Sequence, residues 1–185
     1  MAKRIIKLPR FAFETIISQV IEPYKKEAFG VIGGKGRNVY YIKEVFPIQT
    51  ADRKLSKIET YYFREQRLKD TIINFGNKVI GDYHSHTDYF GTKANPSLSE
   101  FDKKMLKKNP HLFSVVVSIE EVTKIYGWRL LNNMIMGSLF LKGKYNDFNK
   151  KVKVTFVSFY YDPKKNRFLK MKINPIKDLE NILKN

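Results

Sequence analysis

Two histidines, and a serine and an aspartate further along the chain, have the types and spacing of a catalytic metal site. His84 and His86 lie two residues apart, so on a β-strand both imidazoles project to one face and can reach one ion. Ser99 and Asp102 lie three apart, which places a hydroxyl beside a carboxylate on a helix. Two His and one Asp leave a fourth position open for water, as in catalytic zinc sites. We therefore expect a metallohydrolase in which His84, His86 and Asp102 bind Zn²⁺.

The third ligand has an alternative in the sequence. Ser97 and Glu100 have the same three-residue spacing as Ser99 and Asp102, and they directly follow Pro96. They fit a capping box, in which a serine and an acidic residue satisfy the first backbone N–H groups of a helix. Because this gives them a structural role, we predict Asp102 as the ligand and keep Glu100 as the alternative.

A strand and the helix after it must position these residues. The apolar pattern predicts a strand from Lys78 to His86, a helix from about Ser97 to Lys108 and a β-branched strand from Leu112 to Ile119. An earlier hairpin, whose first strand starts at Phe29, places Glu27 at a strand edge. Asp82 or Asp88 can orient an imidazole as a hydrogen-bond acceptor, and Asp82, two residues before His84 on the same face, is the better candidate.

The remaining elements predict the fold class. Residues 152–173 read as a hairpin, and a last helix is expected to begin with Asn174 as N-cap and Pro175 in its first turn. Helices interleaved with many strands indicate an α+β or three-layer α/β/α domain, with a mixed β-sheet flanked by helices. We expect residues 1–141 to form the catalytic core, and 142–185 to add a C-terminal β-hairpin and helix to the same domain.

Composition narrows the classes of function. The chain has 185 residues and no cysteine, which excludes disulfides and thiolate zinc sites, so His and carboxylates must hold any metal. No apolar run has the length of a membrane span, and we expect an untargeted, cytoplasmic protein without membrane contact. The formal net charge of +17 favours an acidic partner. Nucleic acid is one such partner, but a solvated basic surface is the preferred interpretation.

Three segments together resemble the signature of the JAMM (JAB/MPN) metallopeptidases. They are Glu27-Ala28-Phe29-Gly30, His84-Ser85-His86 and Leu98-Ser99-Glu100-Phe101-Asp102, in that order, and the resemblance extends to about Leu141. It implies the cytidine-deaminase-like JAMM (MPN) fold. It also implies that His84, His86 and Asp102 bind zinc, that Glu27 activates water as general acid and base, and that Ser99 supports the oxyanion.

The resemblance also implies the reaction and its substrates. These are hydrolysis of peptide or isopeptide bonds, as in a deubiquitinase, at the C-terminus of ubiquitin-like or sulfur-carrier modifiers. Such modifiers end in a flexible tail that can lie against a sheet edge, and a basic enzyme suits an acidic modifier. The chain departs from the family in having Thr87, not proline, after the second histidine, and in its longer segment 87–98 before Ser99.

Two other functions stay open at this point. A non-catalytic scaffold or nucleic-acid-associated module would use the basic surface for binding, although it has no chemical need for the five site residues. A zinc hydrolase of small amides would use the lengthened segment 87–98 as a lid.

Overall fold

The protein is described by a computed structural model over residues 4–48, 52–53, 58–59, 62–88, 93–142 and 149–183. Its helices are α1 (Arg10–Ile21), α2 (Tyr62–Asn74), α3 (Glu100–Lys108) and α4 (Lys177–Leu183). Its strands are β1 (Ile5–Leu8), β2 (Phe29–Lys35), β3 (Val39–Pro47), β4 (Asp52–Arg53), β5 (Ile58–Glu59), β6 (Lys78–Thr87), β7 (Phe113–Glu121), β8 (Arg129–Leu131), β9 (Met134–Leu141), β10 (Lys150–Asp162), β11 (Arg167–Lys170) and β12 (Lys172–Pro175).

One mixed sheet contains every described strand except the small pair β4 and β5. Its order is β12-β1-β3-β2-β6-β7-β10-β9-β8, and β11 pairs with β10. Strand β6 is parallel to β7 and antiparallel to β2, so the predicted histidine strand lies in the interior of the sheet. Strands from the C-terminal part of the chain pair with strands from the N-terminal part, since β10 pairs with β7 and β12 with β1.

The predicted fold class is wrong. We expected an α+β or three-layer α/β/α domain with the cytidine-deaminase-like JAMM (MPN) fold, but the sheet is strongly curled into a half-barrel. The segment 167–175 shows how it curls, because its first half pairs with β10 and its second half with β1. Strand twist accumulates across a wide sheet. Here it brings β1 and β10, which are far apart in the strand order, close enough for both to pair with segment 167–175.

The main core lies inside this curl, against α1. The buried face of α1 consists of Ala12, Phe13, Ile16, Ile17 and Val20. Its apolar residues recur at helical spacing, so a single stripe meets the sheet. Phe13 packs edge-on against Trp128 with ring centroids 5.0 Å apart, and α4 contacts the edge strand β8. Helix α1 is thus the element around which the sheet wraps.

The opposite face of the sheet, called here the outer face, carries α2 and α3. Leu106 of α3 packs in one small cluster with Val116 and Val157, and Ile72 of α2 packs in another with Val31. Two separate small cores therefore hold the two helices.

Two helix starts differ from the sequence prediction. Asn174 and Pro175 belong to β12, which pairs with β1, and α4 begins at Lys177. The tertiary pairing with β1 therefore overrides the local capping signal. Helix α3 begins at Glu100, with Ser99 rather than Ser97 as its N-cap.

Within the described ranges, no helix combines the length and apolar character needed to cross a bilayer.

Candidate metal centre

A β-bulge in β6 decides which face the histidines occupy. Ile32 pairs with Gly81 and Gly33 with Val79, so Ile80 has no residue opposite it in β2. Such an extra residue shifts the alternation of side chains by one position. Val79, Asp82, His84 and His86 consequently line one cavity on the outer face, whereas Ile80 and Tyr83 pack in the main core around α1.

The N-terminus of α3 brings Asp102 to the histidines. Ser99 accepts a hydrogen bond at Oγ from the Asp102 backbone N–H (3.2 Å), and Asp102 Oδ2 accepts one from the Ser99 backbone N–H (2.7 Å). This reciprocal pair is a capping box. The prediction that Ser97 and Glu100 form the box is therefore wrong. Asp102 is therefore both the N3 residue of the capping box and the predicted metal ligand.

The three predicted ligands converge in the structure. Asp102 Oδ2 lies 3.3 Å from His84 Nε2 and 3.7 Å from His86 Nε2. One ligand atom from each residue lies within 4.8 Å of the others, so the group could hold a metal ion. Glu100 is outside this group: its side chain is 82% exposed and pairs with Lys103. The structure thus places Asp102, and not Glu100, at the imidazoles.

The other ring nitrogen of each imidazole is already engaged. His86 Nδ1 lies 2.7 Å from the carbonyl oxygen of Asn95, which can only accept, so Nδ1 carries the proton. His84 Nδ1 lies 3.4 Å from Ser114 Oγ, and Ser114 donates its own proton to Asp82 Oδ1 at 2.6 Å. The Ser114 oxygen is therefore left to accept from His84. In the neutral rings, both Nε2 lone pairs point toward Asp102.

This arrangement fits a cation. His84 Nε2 is buried and makes no regular hydrogen bond within the described residues, with Asp102 Oδ2 lying 3.3 Å away. Two lone pairs and a carboxylate oxygen facing one another repel unless a positive charge lies among them. Protein-bound metal ions are usually held by carboxylates and by imidazoles whose second ring nitrogen donates a hydrogen bond to the protein. The residues present therefore fit the group that the sequence predicts.

In the metal-free protein, a proton takes the place of that cation. Burial lowers the pKa of His84, but interactions with Asp102 and Asp82 outweigh it and raise this pKa to about 10. Burial raises the pKa of Asp102, yet His84, His86 and Ser99 together hold it well below its usual range. The Asp102 carboxylate is thus ionised and the site is built for net positive charge at its centre.

Glu27 reaches the site through the pairing of β2 with β6. Ser85 accepts the backbone N–H of Ala28 at its buried Oγ (2.8 Å) and donates its own N–H to the Ala28 carbonyl (3.0 Å). Extending this antiparallel register by one residue sets Glu27 beside His86. Glu27 lines the cavity that contains both histidines. Burial raises the pKa of the Glu27 carboxyl, the histidine charges oppose this rise and the Asp102 charge adds to it.

Segment 87–98 is tied at both described ends. Asp88 accepts the backbone N–H groups of Ala94 and Glu121 at 2.7 and 2.8 Å. Asp88 therefore anchors the backbone. Asp82 is the acidic residue linked to an imidazole, because it accepts from the Ser114 hydroxyl that lies beside His84 Nδ1. The prediction that this segment forms a lid concerns residues 89–92 as well, which lie outside the described ranges. His111 lies apart from the cluster and is exposed, and its carbonyl accepts the hydroxyl of Tyr40.

Sequence reasoning missed Ser114 and Asn95. Ser114 is a polar residue within the buried run of β7, and its register partner in β6 is Asp82. Strand β7 contains two buried serines, Ser114 and Ser118, and serines in an otherwise apolar strand are the signal that could have found Ser114. Asn95 contributes a backbone carbonyl, for which no residue type is required, so its role was invisible in the sequence.

Comparison with known proteins concerns the fold alone. No protein-family model matches this sequence, and no curated protein sequence matches it. The solution structure of protein DSY2949 from Desulfitobacterium hafniense is similar, with a TM-score of 0.60 and 17% sequence identity. The similarity covers 95% of this chain and 96% of that one. This protein therefore shares its overall fold with the Desulfitobacterium protein.

Proposed function

We propose that this protein is a zinc-dependent hydrolase of peptide or isopeptide bonds. The observation that carries the proposal is the convergence of His84 Nε2, His86 Nε2 and Asp102 Oδ2 in one cavity with Glu27. Ligands and a proton acceptor in one open cavity are the parts that metal-assisted hydrolysis requires.

The donor set favours zinc. Two imidazoles and one carboxylate form a common zinc ligand set with a fourth position for water, and the sequence offers no thiolate. When bound, zinc would lower the pKa of a water molecule and polarise the substrate carbonyl. His84 Nε2, His86 Nε2 and Asp102 Oδ2 would hold it.

Glu27 would be the general base and then the general acid. Its raised pKa suits both roles, because a base that also returns the proton works best when its pKa approaches the working pH. In hydrolysis, Glu27 takes a proton from the attacking water and gives it to the leaving amine.

Ser99 would assist at the developing oxyanion. Its Oγ accepts from the Asp102 backbone N–H, which leaves the hydroxyl proton available to donate. Ser99 also lines the cavity, so this proton is within the site. A single well-placed donor of this kind contributes about 3 kcal/mol of transition-state stabilisation.

The substrates that we propose are C-terminal tails of ubiquitin-like or sulfur-carrier modifiers. Support comes from the motif residues that resemble the JAMM metallopeptidases and from the charge of +17, which suits an acidic modifier.

Metal content and turnover of three variants test the proposal. Asp102→Asn should lose zinc while its amide oxygen keeps the helix cap, and Glu27→Gln should keep zinc but lower turnover about 10²- to 10⁴-fold. Glu100→Gln, which removes an acid two residues from Asp102, is the matched control and should change neither property. The probe is a modifier-tail peptide with a fluorogenic C-terminal amide.

The outcomes separate the parts of the proposal. Zinc that stays bound in Asp102→Asn but is lost in Glu100→Gln would overturn the ligand assignment. A protein that takes up no zinc after reconstitution, yet binds polyanions with a steep salt dependence, would be the basic binding module instead.

A further inference from the structure

The cavity at the metal centre extends well beyond the ligands. Its volume is about 510 Å³, in the range of small-molecule sites. Its polar lining includes Lys69 of α2 and Asn109 in addition to the polar residues already described. Its wall also contains apolar side chains from the sheet and from α3, namely Phe29, Val31, Val79, Phe101, Met105 and Leu106.

The apolar wall is formed where the two small cores of the outer face meet. Val31 belongs to the cluster under α2, whereas Leu106 belongs to the cluster under α3. Both side chains nevertheless line the same cavity. Among the described residues, none fills the outer face where the two clusters meet, directly beside the histidines.

Two large apolar residues on the helix side are open to solvent. Phe101 is 60% exposed and Met105 is 43% exposed. Phe101 immediately precedes the ligand Asp102, and both Phe101 and Met105 line the cavity. Leaving such side chains uncovered forgoes burial that a ligand could restore. The uncovered surface is continuous with the metal centre.

We infer that this wall is a subsite for a bulky apolar group of the substrate, next to the bond that is cut. The inference rests on the proposed function and adds a substrate preference to it. An aromatic or branched aliphatic side chain beside the scissile amide would bury its surface between Phe101 and the sheet. A charged side chain packed between Phe101 and the sheet would lose its hydration against apolar surface, so this part of the cavity favours an apolar group.

Hydroxamates of increasing apolar size test the subsite by binding rather than by turnover. Calorimetry compares acetohydroxamate with benzohydroxamate on the zinc-loaded protein and on the metal-free protein. The aromatic ring should tighten binding about tenfold to a hundredfold, the gain expected from burying a ring-sized apolar group.

Matched variants localise the effect. Phe101→Ala should remove most of the gain from the ring while leaving acetohydroxamate binding unchanged. Phe140→Ala removes a similarly exposed phenylalanine that is outside the cavity lining, and it should change neither affinity. Thermal unfolding of both variants confirms that the fold is intact.

Each result decides between the two proposals. If acetohydroxamate binds but the ring adds less than threefold, the subsite is refuted and the metal centre stands. If benzohydroxamate binds in a Phe101-dependent manner to a protein that retains no zinc, the subsite stands and the metal centre is refuted. If neither compound binds to either form, both proposals fail.

Discussion

At the scale of single residues, the site depends on which nitrogen each imidazole presents. The Asn95 carbonyl and the Ser114 hydroxyl occupy the two Nδ1 atoms, so the Nε2 atoms are directed toward Asp102. Holding each Nδ1–H on an acceptor fixes the orientation of the ring before a metal arrives, so that binding requires no rotation of the imidazole. Ser114 is therefore a positioning residue.

Ser114→Ala should weaken zinc binding about 10- to 100-fold, the usual effect of losing a partner of a ligating histidine. The physical reason is that His84 Nδ1 loses its acceptor and Asp82 loses a donor. Competition titration with a chromophoric chelator measures the affinity, and ¹⁵N spectra of the imidazoles report the tautomer. An unchanged Nδ1–H signal for His84 in the variant would contradict this role.

Zinc binding should be linked to the release of a proton. In the metal-free protein the pKa of His84 is raised from 6.5 to about 10. The protonated ring therefore stabilises the fold fully below pH 6.5, and this contribution is lost as pH rises toward 10. Zinc must displace that proton, so its apparent affinity should rise about tenfold per pH unit between these limits. Unfolding temperatures with and without zinc should diverge from pH 6.5 to 8.5, and a constant difference would contradict the linkage.

At the scale of elements, three local features hold the site. The bulge at Ile80 directs His84 and His86 to the outer face, and the capping box of α3 directs Asp102 toward them. The third is the link between Ala28 and Ser85, which sets the register of β2 next to the histidine strand. Each of these features positions at least one residue of the proposed site.

Ser85→Ala tests the third feature. The substitution leaves the buried Ala28 N–H without its acceptor, which should cost about 1–3 kcal/mol of unfolding free energy. Turnover should fall because Glu27 is the next residue, while the zinc content should stay the same. Denaturant unfolding, metal analysis and kinetics on one preparation measure all three.

Ser138→Ala is the matched control for that experiment. Ser138 is also a buried serine in a strand, but within the described part of the chain its hydroxyl has no hydrogen-bond partner. Its loss should change the unfolding free energy by less than about 0.5 kcal/mol. Equal effects of the two substitutions would show that the Ser85 bond contributes nothing specific.

At the scale of the whole molecule, curl and charge determine what reaches the site. The curled sheet encloses α1 on one side and leaves α2 and α3 to frame the cavity on the other. The net charge of +17 gives the molecule a positive long-range field, and Lys69 of α2 lines the cavity. An acidic substrate should therefore associate faster than a neutral one.

Salt should weaken the reaction with an acidic substrate and spare the reaction with a neutral one. Lys69→Gln should lower kcat/KM for an acidic tail peptide about twofold to fivefold at low salt and reduce its salt dependence. Lys35→Gln removes the same charge at the end of β2 remote from Glu27, and its effect should be smaller. Equal kcat/KM values for acidic and neutral peptides at low salt would contradict electrostatic steering.

The sequence by itself determined the residue types and spacing of the site and most of its local elements. His84 and His86 lie two residues apart, and Ser99 and Asp102 lie three apart. Strand and helix geometry place residues at these spacings on a shared face. The apolar pattern also located the strand of the histidines and the helix of Asp102, because strand and helix patterns repeat every two to four residues.

Only the tertiary structure decided which face the site occupies, what orients it and how the sheet closes. The bulge at Ile80 depends on the register with β2, and the Asn95 and Ser114 contacts join separate segments. The capping box at Ser99, rather than Ser97, and the strand at Pro175 likewise follow from what each segment packs against. The prediction of an α+β or three-layer α/β/α fold was wrong because the sheet curls, and the curl arises from the pairing of β1 and β10 with segment 167–175. Local patterns do not encode such long-range pairings, whose free energy depends on the whole assembled sheet.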